Sequence, residues 1–239
     1  NTYNAMQSNL SFYLSNEFSL SDKLKSILGL RAENYNLYYT GQNQQGDIVY
    51  EDENILGELD LFPSINLIYG LKEMSNLRFS LSRTIARPSF KEKSIAQIFD
   101  PVTSTTFIGN IDILPTKILN YDLRWELFQE DAQMYAISLF YKDFTNPIEL
   151  VVYNGASPND YTPKNVDEAK VYGIELEFRK NLEFISESLS NFKLTFNTSI
   201  IRSEEIMDEK EYEGRTKSAR SGEVVSRKRE LQGQSPYLI

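Results

Sequence analysis

Residues 119–127 alternate without a break, with Leu119, Tyr121, Leu123, Trp125 and Leu127 in one phase and Asn120, Asp122, Arg124 and Glu126 in the other. Successive side chains of a strand point to opposite faces, so this segment has one apolar face and one polar or charged face. After a polar "QEDA" turn the pattern resumes with Tyr135, Ile137, Leu139 and Tyr141, and the two runs read as a hairpin. Two folds suit such a hairpin: a soluble sheet covering a core on one side, or a barrel with lipid outside and water inside.

The same division recurs along the chain. Residues 9–18 place Leu10, Phe12, Leu14 and Phe18 in one phase, and residues 24–39 set Leu24, Leu28 and Leu30 against Lys25, Arg31 and Glu33. Residues 59–71 carry Leu61, Ile65, Leu67 and Tyr69 in phase, with Pro63 predicting a bulge or the end of a ladder. Residues 76–85 oppose Leu77, Phe79, Leu81 and Ile85 to Arg78, Ser80, Ser82 and Thr84, while Arg83 falls in the apolar phase. That position suits an arginine only near a membrane interface, where it can snorkel. Residues 171–179 and 191–201 complete eight predicted strands.

The connections discriminate further. Strands one and two, three and four, and five and six are joined by a few residues, as in "SLSDK", "KEMS" and "QEDA", and strands seven and eight by a somewhat longer link. The intervening connections, 41–58, 86–117, 145–170 and 202–236, are long. Compact soluble domains rarely carry such spans. In an up-and-down meander the alternation puts every long loop at one end, the asymmetry of outer-membrane barrels. The predicted fold is therefore all-β: an antiparallel up-and-down transmembrane β-barrel, partial at about eight strands, with short periplasmic turns and long extracellular loops. A secreted β-sandwich or solenoid is the competing architecture.

Composition excludes several chemistries. The 239 residues contain no Cys and no His. Disulfides, thiolate or imidazole metal sites, and Ser-His-Asp or Cys-His catalysis are thus ruled out within the chain. No run reaches the roughly 18 apolar residues of a membrane helix. The 15 Tyr and 14 Phe suit strands and interfacial girdles. A net charge of −9 argues against nucleic acid as a partner. The basic stretch "RTKSARSGEVVSRKRE" at 215–230 reads first as a solvated loop and second as a contact for an anionic ligand or lipid headgroup. The chain opens at Asn1 without a leader, and "SPYLI" at 235–239 reads as the opening of a strand, so a piece of a longer protein is expected.

Five phrases in order, "NLRFSLSRTIARPSF" from 76, "GNIDILPTKILNYDLRWE" from 109, "YKDFTNPIE" from 141, "AKVYGIELEFRK" from 169 and "GQSPYLI" at the end, resemble the later barrel of TonB-dependent outer-membrane receptors, especially of Bacteroidota type. Ile111 stands where the family has Pro after Gly-Asn, and Thr116 where it has an acidic residue. The resemblance implies a piece of a barrel of about 22 strands, without the plug, the energy-coupling box or the final strands. It implies active uptake of a scarce bulky nutrient of the siderophore, haem, glycan or peptide class. The implied partners are TonB and its inner-membrane motor, acting through a plug outside this chain. Outer-membrane lipid and lipopolysaccharide are expected around the barrel, and a surface lipoprotein is a possible companion. No cofactor and no resident metal are expected.

The alternation nominates lumen-facing charges: Arg31, Glu33, Asp122, Arg124, Glu126, Glu175, Glu177 and Arg179. Their mixed signs predict pairing between neighbouring strands and a stiffened wall. Asp122 and Glu126 lie about 13 Å apart along a strand, too far for a glycosidase pair. Loop aromatics Phe90, Phe99, Phe107, Tyr153 and Tyr161 are candidates for stacking against a ligand and, equally, for packing the loops together. "EDEN" at 51–54 and "DEKEYE" at 208–213 lack calcium-loop spacing and read as solvated surface. Two rival functions remain: a non-transporting barrel serving as surface anchor or docking partner, and a soluble extracellular ligand-binding or hydrolytic β-domain. An enzyme is not expected, because no nucleophile, base and orienting group can be assembled.

Overall fold

Period-two runs pair with their sequence neighbours wherever a short turn joins them, and here they do so throughout. The computed structural model describes residues 3–152, 160–207 and 209–239. Its strands are β1 (Asn4–Ser21), β2 (Leu24–Gln42), β3 (Val49–Lys72), β4 (Ser75–Ala86), β5 (Gln97–Asp100), β6 (Thr105–Ile108), β7 (Thr116–Phe128), β8 (Met134–Thr145), β9 (Ile148–Val152), β10 (Asp160–Asn165), β11 (Glu168–Asn181) and β12 (Lys193–Ile206). Helix α1 (Glu209–Ser218) and the short strands β13 (Lys228–Arg229) and β14 (Tyr237–Leu238) follow.

The main sheet runs β1-β2-β3-β4-β7-β8-β11-β12, all antiparallel, with β13 and β14 against β12. It is a curled, unclosed section of barrel in which the eight expected strands are all present. Pro63 does mark a ladder end: β3 and β4 pair only from Ser64↔Ser82 downward. "SPYLI" does open a strand, with Tyr237 opposite Ile200.

One register row crosses the whole wall on the outward face: Phe18, Ser26, Leu67, Phe79, Leu123, Leu139, Ile174 and Ile200. In β1 this row lies near the lower end of the apolar run, and in β12 near its upper end. Strands tilted to the barrel axis require such a drift if the apolar band is to stay level. Leu10, Phe12 and Leu14 are 76%, 70% and 63% exposed. A contiguous apolar face of that size needs a non-aqueous neighbour.

The band has borders. Tyr121, Tyr141 and Tyr172 form an upper aromatic row, and Tyr135, Phe178 and Phe196 a lower one. Above the tyrosines the outward row becomes Arg83, Leu119, Asp143, Lys170 and Glu204. Arg83 is thus no misfit, because it sits at the charged upper border. At the lower border the Lys180 ammonium lies 5.8 Å from the Tyr135 ring centre. About ten residues separate Leu119 of β7 from Gln129 just past its end, or about 26 Å of height at a tilt near 40°. That is the height of an outer-membrane apolar band.

The upper side departs from expectation. Residues 41–58 are not a loop: β2 and β3 continue to Gln42 and Val49, and the connection is only 43–48. Asn43 closes it, accepting from the Ile48 N–H at 3.2 Å through its side chain. "EDEN" therefore lies within β3, with Asp52 at φ 52° where the ladder bulges. Two register shifts, one at Asp52 and one between Asn54 and Leu56, break the alternation, each moving the phase by one residue. The next two connections are long but structured, their strands joining as a second sheet, β5-β6-β10-β9. Helix α1 occupies the last connection, with acidic residues in its first turn, basic ones in its last, and Glu211–Arg215 and Glu213–Lys217 pairs one turn apart.

Candidate functional site

The inner face carries two ion-paired clusters at different heights. In the lower one, Glu126 is buried and accepts from Arg78 Nε at 2.5 Å and from Asn76 at 3.3 Å. Arg124 reaches Glu126 at 3.3 Å and forks onto both oxygens of Glu177, at 2.8 and 3.1 Å, across the intervening β8. Its Nη1 also donates to Ser138 at 2.9 Å, so four adjacent strands are laced together. Such a bidentate fork fixes geometry as well as charge. Of the nominated charges, Arg124, Glu126 and Glu177 meet here. Asp122, Glu175 and Arg179 share the face but stand outside the cluster.

The upper cluster has a different origin. Glu33 and Asp60 lie directly opposite each other on β2 and β3, where like charges repel. Arg87, just past the end of β4, resolves this by donating to Glu33 at 2.7 Å and Asp60 at 2.9 Å. Arg31 adds a 2.6 Å contact to Glu33. The Arg87 guanidinium also lies 4.4 Å from the Tyr35 ring centre. The start of the β4–β7 connection is therefore drawn inward onto the lumen face. Lys93, Ser94, Ala96 and Ile113 are buried behind it. Lys93 Nζ donates to the carbonyls of Ile111 and Ile113 at 2.6 and 2.9 Å, and burial pushes its pKa down.

The sequence pattern places Arg78 in a polar phase, so its role was within reach; Asp60 was not singled out. Arg87 was not, because periodicity stops where β4 ends.

Of the aromatic candidates, Phe99, Phe107 and Tyr161 belong to the second sheet and not to irregular loop. Phe107 lies opposite Ile98 on one side and Tyr161 on the other, and Tyr161 opposite Val152. Lys91 Nζ sits 4.1 Å from the Phe107 ring centre. Ile98, Phe99, Leu150 and Val152 are exposed, as is Phe90 before the sheet. Tyr153 lies outside the described residues. The arrangement leaves apolar and aromatic side chains exposed on a small sheet, a surface suited to stacking and cation–π contacts. Among the described residues no group of acidic side chains is arranged to hold a metal ion.

An apolar band bordered by aromatics, with a charge-paired interior and structured outer connections, defines an outer-membrane β-barrel wall. The chain belongs to the TonB-dependent receptor-like β-barrel family, whose model matches residues 1–223. Its place is the bacterial outer membrane. Similar solved structures include the copper transporter OprC (17% identity, 83% of this chain and 29% of that one, TM-score 0.62). A variant of the ferric enterobactin receptor PfeA from Pseudomonas aeruginosa is also similar (17% identity, 83% and 30% coverage, TM-score 0.56). So is the alcaligin outer-membrane receptor FauA from Bordetella pertussis (16%, 84% and 31%, TM-score 0.54). No match was found among curated protein sequences. The chain thus spans about a third of the length of these structures.

Proposed function

We propose that this chain is part of the wall and mouth of an outer-membrane receptor that captures a scarce bulky solute and imports it with energy delivered through TonB. The observation that carries the reading is the wall itself: lipid-facing outside, ion-paired inside, with its outer connections folded into a structured crown. The whole receptor would supply a plug and further strands. Its substrate class, whether siderophore, haem, glycan or peptide, would be set at the crown, with Phe90, Phe99, Phe107 and Tyr161 as contact residues. Siderophore and copper receptors among the structural relatives support a metal or metal-chelate cargo as the first class to test. Lipopolysaccharide would surround the upper border, and a surface lipoprotein could cap the crown. The lumen charges Arg31, Glu33, Arg124, Glu126 and Glu177 serve as wall structure, with Asp122, Glu175 and Arg179 free to meet a plug or water.

Uptake by intact cells decides. Cells with and without the gene, and with and without TonB, are given labelled ferric siderophores, copper, haem, oligosaccharides and peptides in turn. Loss of uptake of one solute in both deletions supports import. Unchanged uptake of every solute sinks it and favours an anchor or docking role. A soluble β-domain does not accord with the exposed apolar band.

A further inference from the structure

Above the wall, one guanidinium is shared by three carboxylates from three other elements. Arg229 of β13 donates to Glu149 of β9 at 2.5 Å, lies against Glu205 of β12, and faces Glu211 of α1 at 2.9 Å. The backbone N–H of Gln232 adds a 3.3 Å bond to Glu149, and that of Leu231 a 2.9 Å bond to Ser203. Lys164 of β10 is the cross-strand neighbour of Glu149. Glu205 lies opposite Ala169, one position beyond the charged outward row that ends in Glu204. The cluster is therefore above the lipid.

Glu205 is only 1% exposed, and neither of its oxygens receives a donor in hydrogen-bond geometry. The contact with Arg229 is close but misaligned, so we read it as an ion pair and not as a hydrogen bond. Its other neighbour is the carboxyl group of Glu149. Two carboxylates offer each other only lone pairs, and a proton between them is what turns that contact into a bond. Without it, the buried carboxylates of Glu149 and Glu205 would both be charged against Arg229, which also faces Glu211, itself paired with Arg215.

We propose that this cluster is a proton-binding clasp: one proton held between Glu149 and Glu205 fastens β13 and α1 to the extracellular ends of β9 and β12, and its release unfastens them. Burial, followed by the hydrogen bond and charge of Glu149, pushes Glu205 up to about 8, against the pull of Arg229. Burial also acts on Glu149, but the bonds from Arg229, Glu205 and Gln232 outweigh it and hold it below the usual carboxylate range. The sign follows. Docked, the pair keeps one proton; undocked, Glu205 returns toward its ordinary 4.5 and loses it. Docking then takes up a proton between those limits, and its equilibrium constant falls by up to about tenfold per pH unit as pH rises through the window. The clasp holds in mildly acidic surroundings and loosens in alkaline ones, whichever solute the receptor carries.

The test uses the full-length receptor in outer-membrane vesicles with a chelator present. Spin labels at Val224→Cys on the loop and Glu187→Cys in the periplasmic connection report their separation from pH 5 to pH 9. The wild-type background is expected to pass from one narrow distance distribution to a broad one across this range. Glu205→Gln, which mimics the protonated group, should stay narrow throughout, and Glu149→Gln should flatten the titration in the same way. A wild-type distribution that does not change with pH overturns the clasp, as does a Glu205→Gln protein that titrates like wild type. If Glu205→Gln fails to fold, the wild-type and Glu149→Gln titrations decide alone.

Discussion

At the scale of single residues, alternation assigns faces but not partners. Arg124, Glu126 and Glu177 were placed on the lumen side by phase alone, yet only the register brings Arg78 within 2.5 Å of Glu126. Glu126→Ala removes acceptors from two guanidiniums and an amide. Arg78 is 44% exposed and recovers some solvation, so a loss of about 2 kcal/mol is expected, not the larger cost of a fully buried pair. Urea unfolding of the receptor in lipid vesicles measures it. A double-mutant cycle with Arg124→Ala should return a coupling of about 1 kcal/mol, and strict additivity would show that the contact does not hold the wall. Gly173 sits within β11 for a different reason: a Cβ there would meet the Ile200 carbonyl at 2.4 Å and the Phe140 ring at 2.7 Å. The ring is movable but the backbone of β12 is not. Gly173→Ala should therefore cost about 1–3 kcal/mol and weaken β11–β12 pairing, read as faster amide exchange in β12.

At the scale of elements, what was legible follows length and regularity. Strands of twelve or more residues repeat their pattern often enough to be read, and all eight of the wall were. β5 and β6 have four residues each and β9 has five, too few for alternation to stand out from chance. The β2–β3 extension failed for another cause, since two register shifts, at Asp52 and between Asn54 and Leu56, interrupt the alternation within a few residues. The outward face makes its own prediction. Leu123 lies in the middle of the apolar band on β7, and Leu119 lies in the row with Arg83, Asp143 and Lys170. Leu123→Arg should destabilise the barrel by about 2–4 kcal/mol and Leu119→Arg by about 0–1. Equal costs, from urea titrations of the two variants in the same lipid, would mean that this face does not meet hydrocarbon.

At the scale of the whole molecule, the question is how much barrel eight strands make. The sheet ends at β1 on one side and at β12 with its two short companions on the other. In hydrocarbon each unpaired backbone group costs several kcal/mol, so a spanning sheet must close. Eight strands can close alone only with a narrow interior filled by side chains. This inner face instead carries solvated charges such as Asp122 and Arg179 and an inward-folded mouth segment behind Arg87. The chain covers 29–31% of the three related structures, and a wall of this width belongs in a wider barrel with further strands beside β1 and β12 if it is to close around water. The 239-residue polypeptide refolded by itself in detergent should therefore give no heat-modifiable monomer and no discrete conductance in planar bilayers. The same residues within the full-length receptor should resist unheated detergent as a folded band. A compact heat-modifiable species of 27.6 kDa from the isolated chain would show that β1 and β12 close on each other, and that the curvature belongs to a small barrel and not to a segment of a large one.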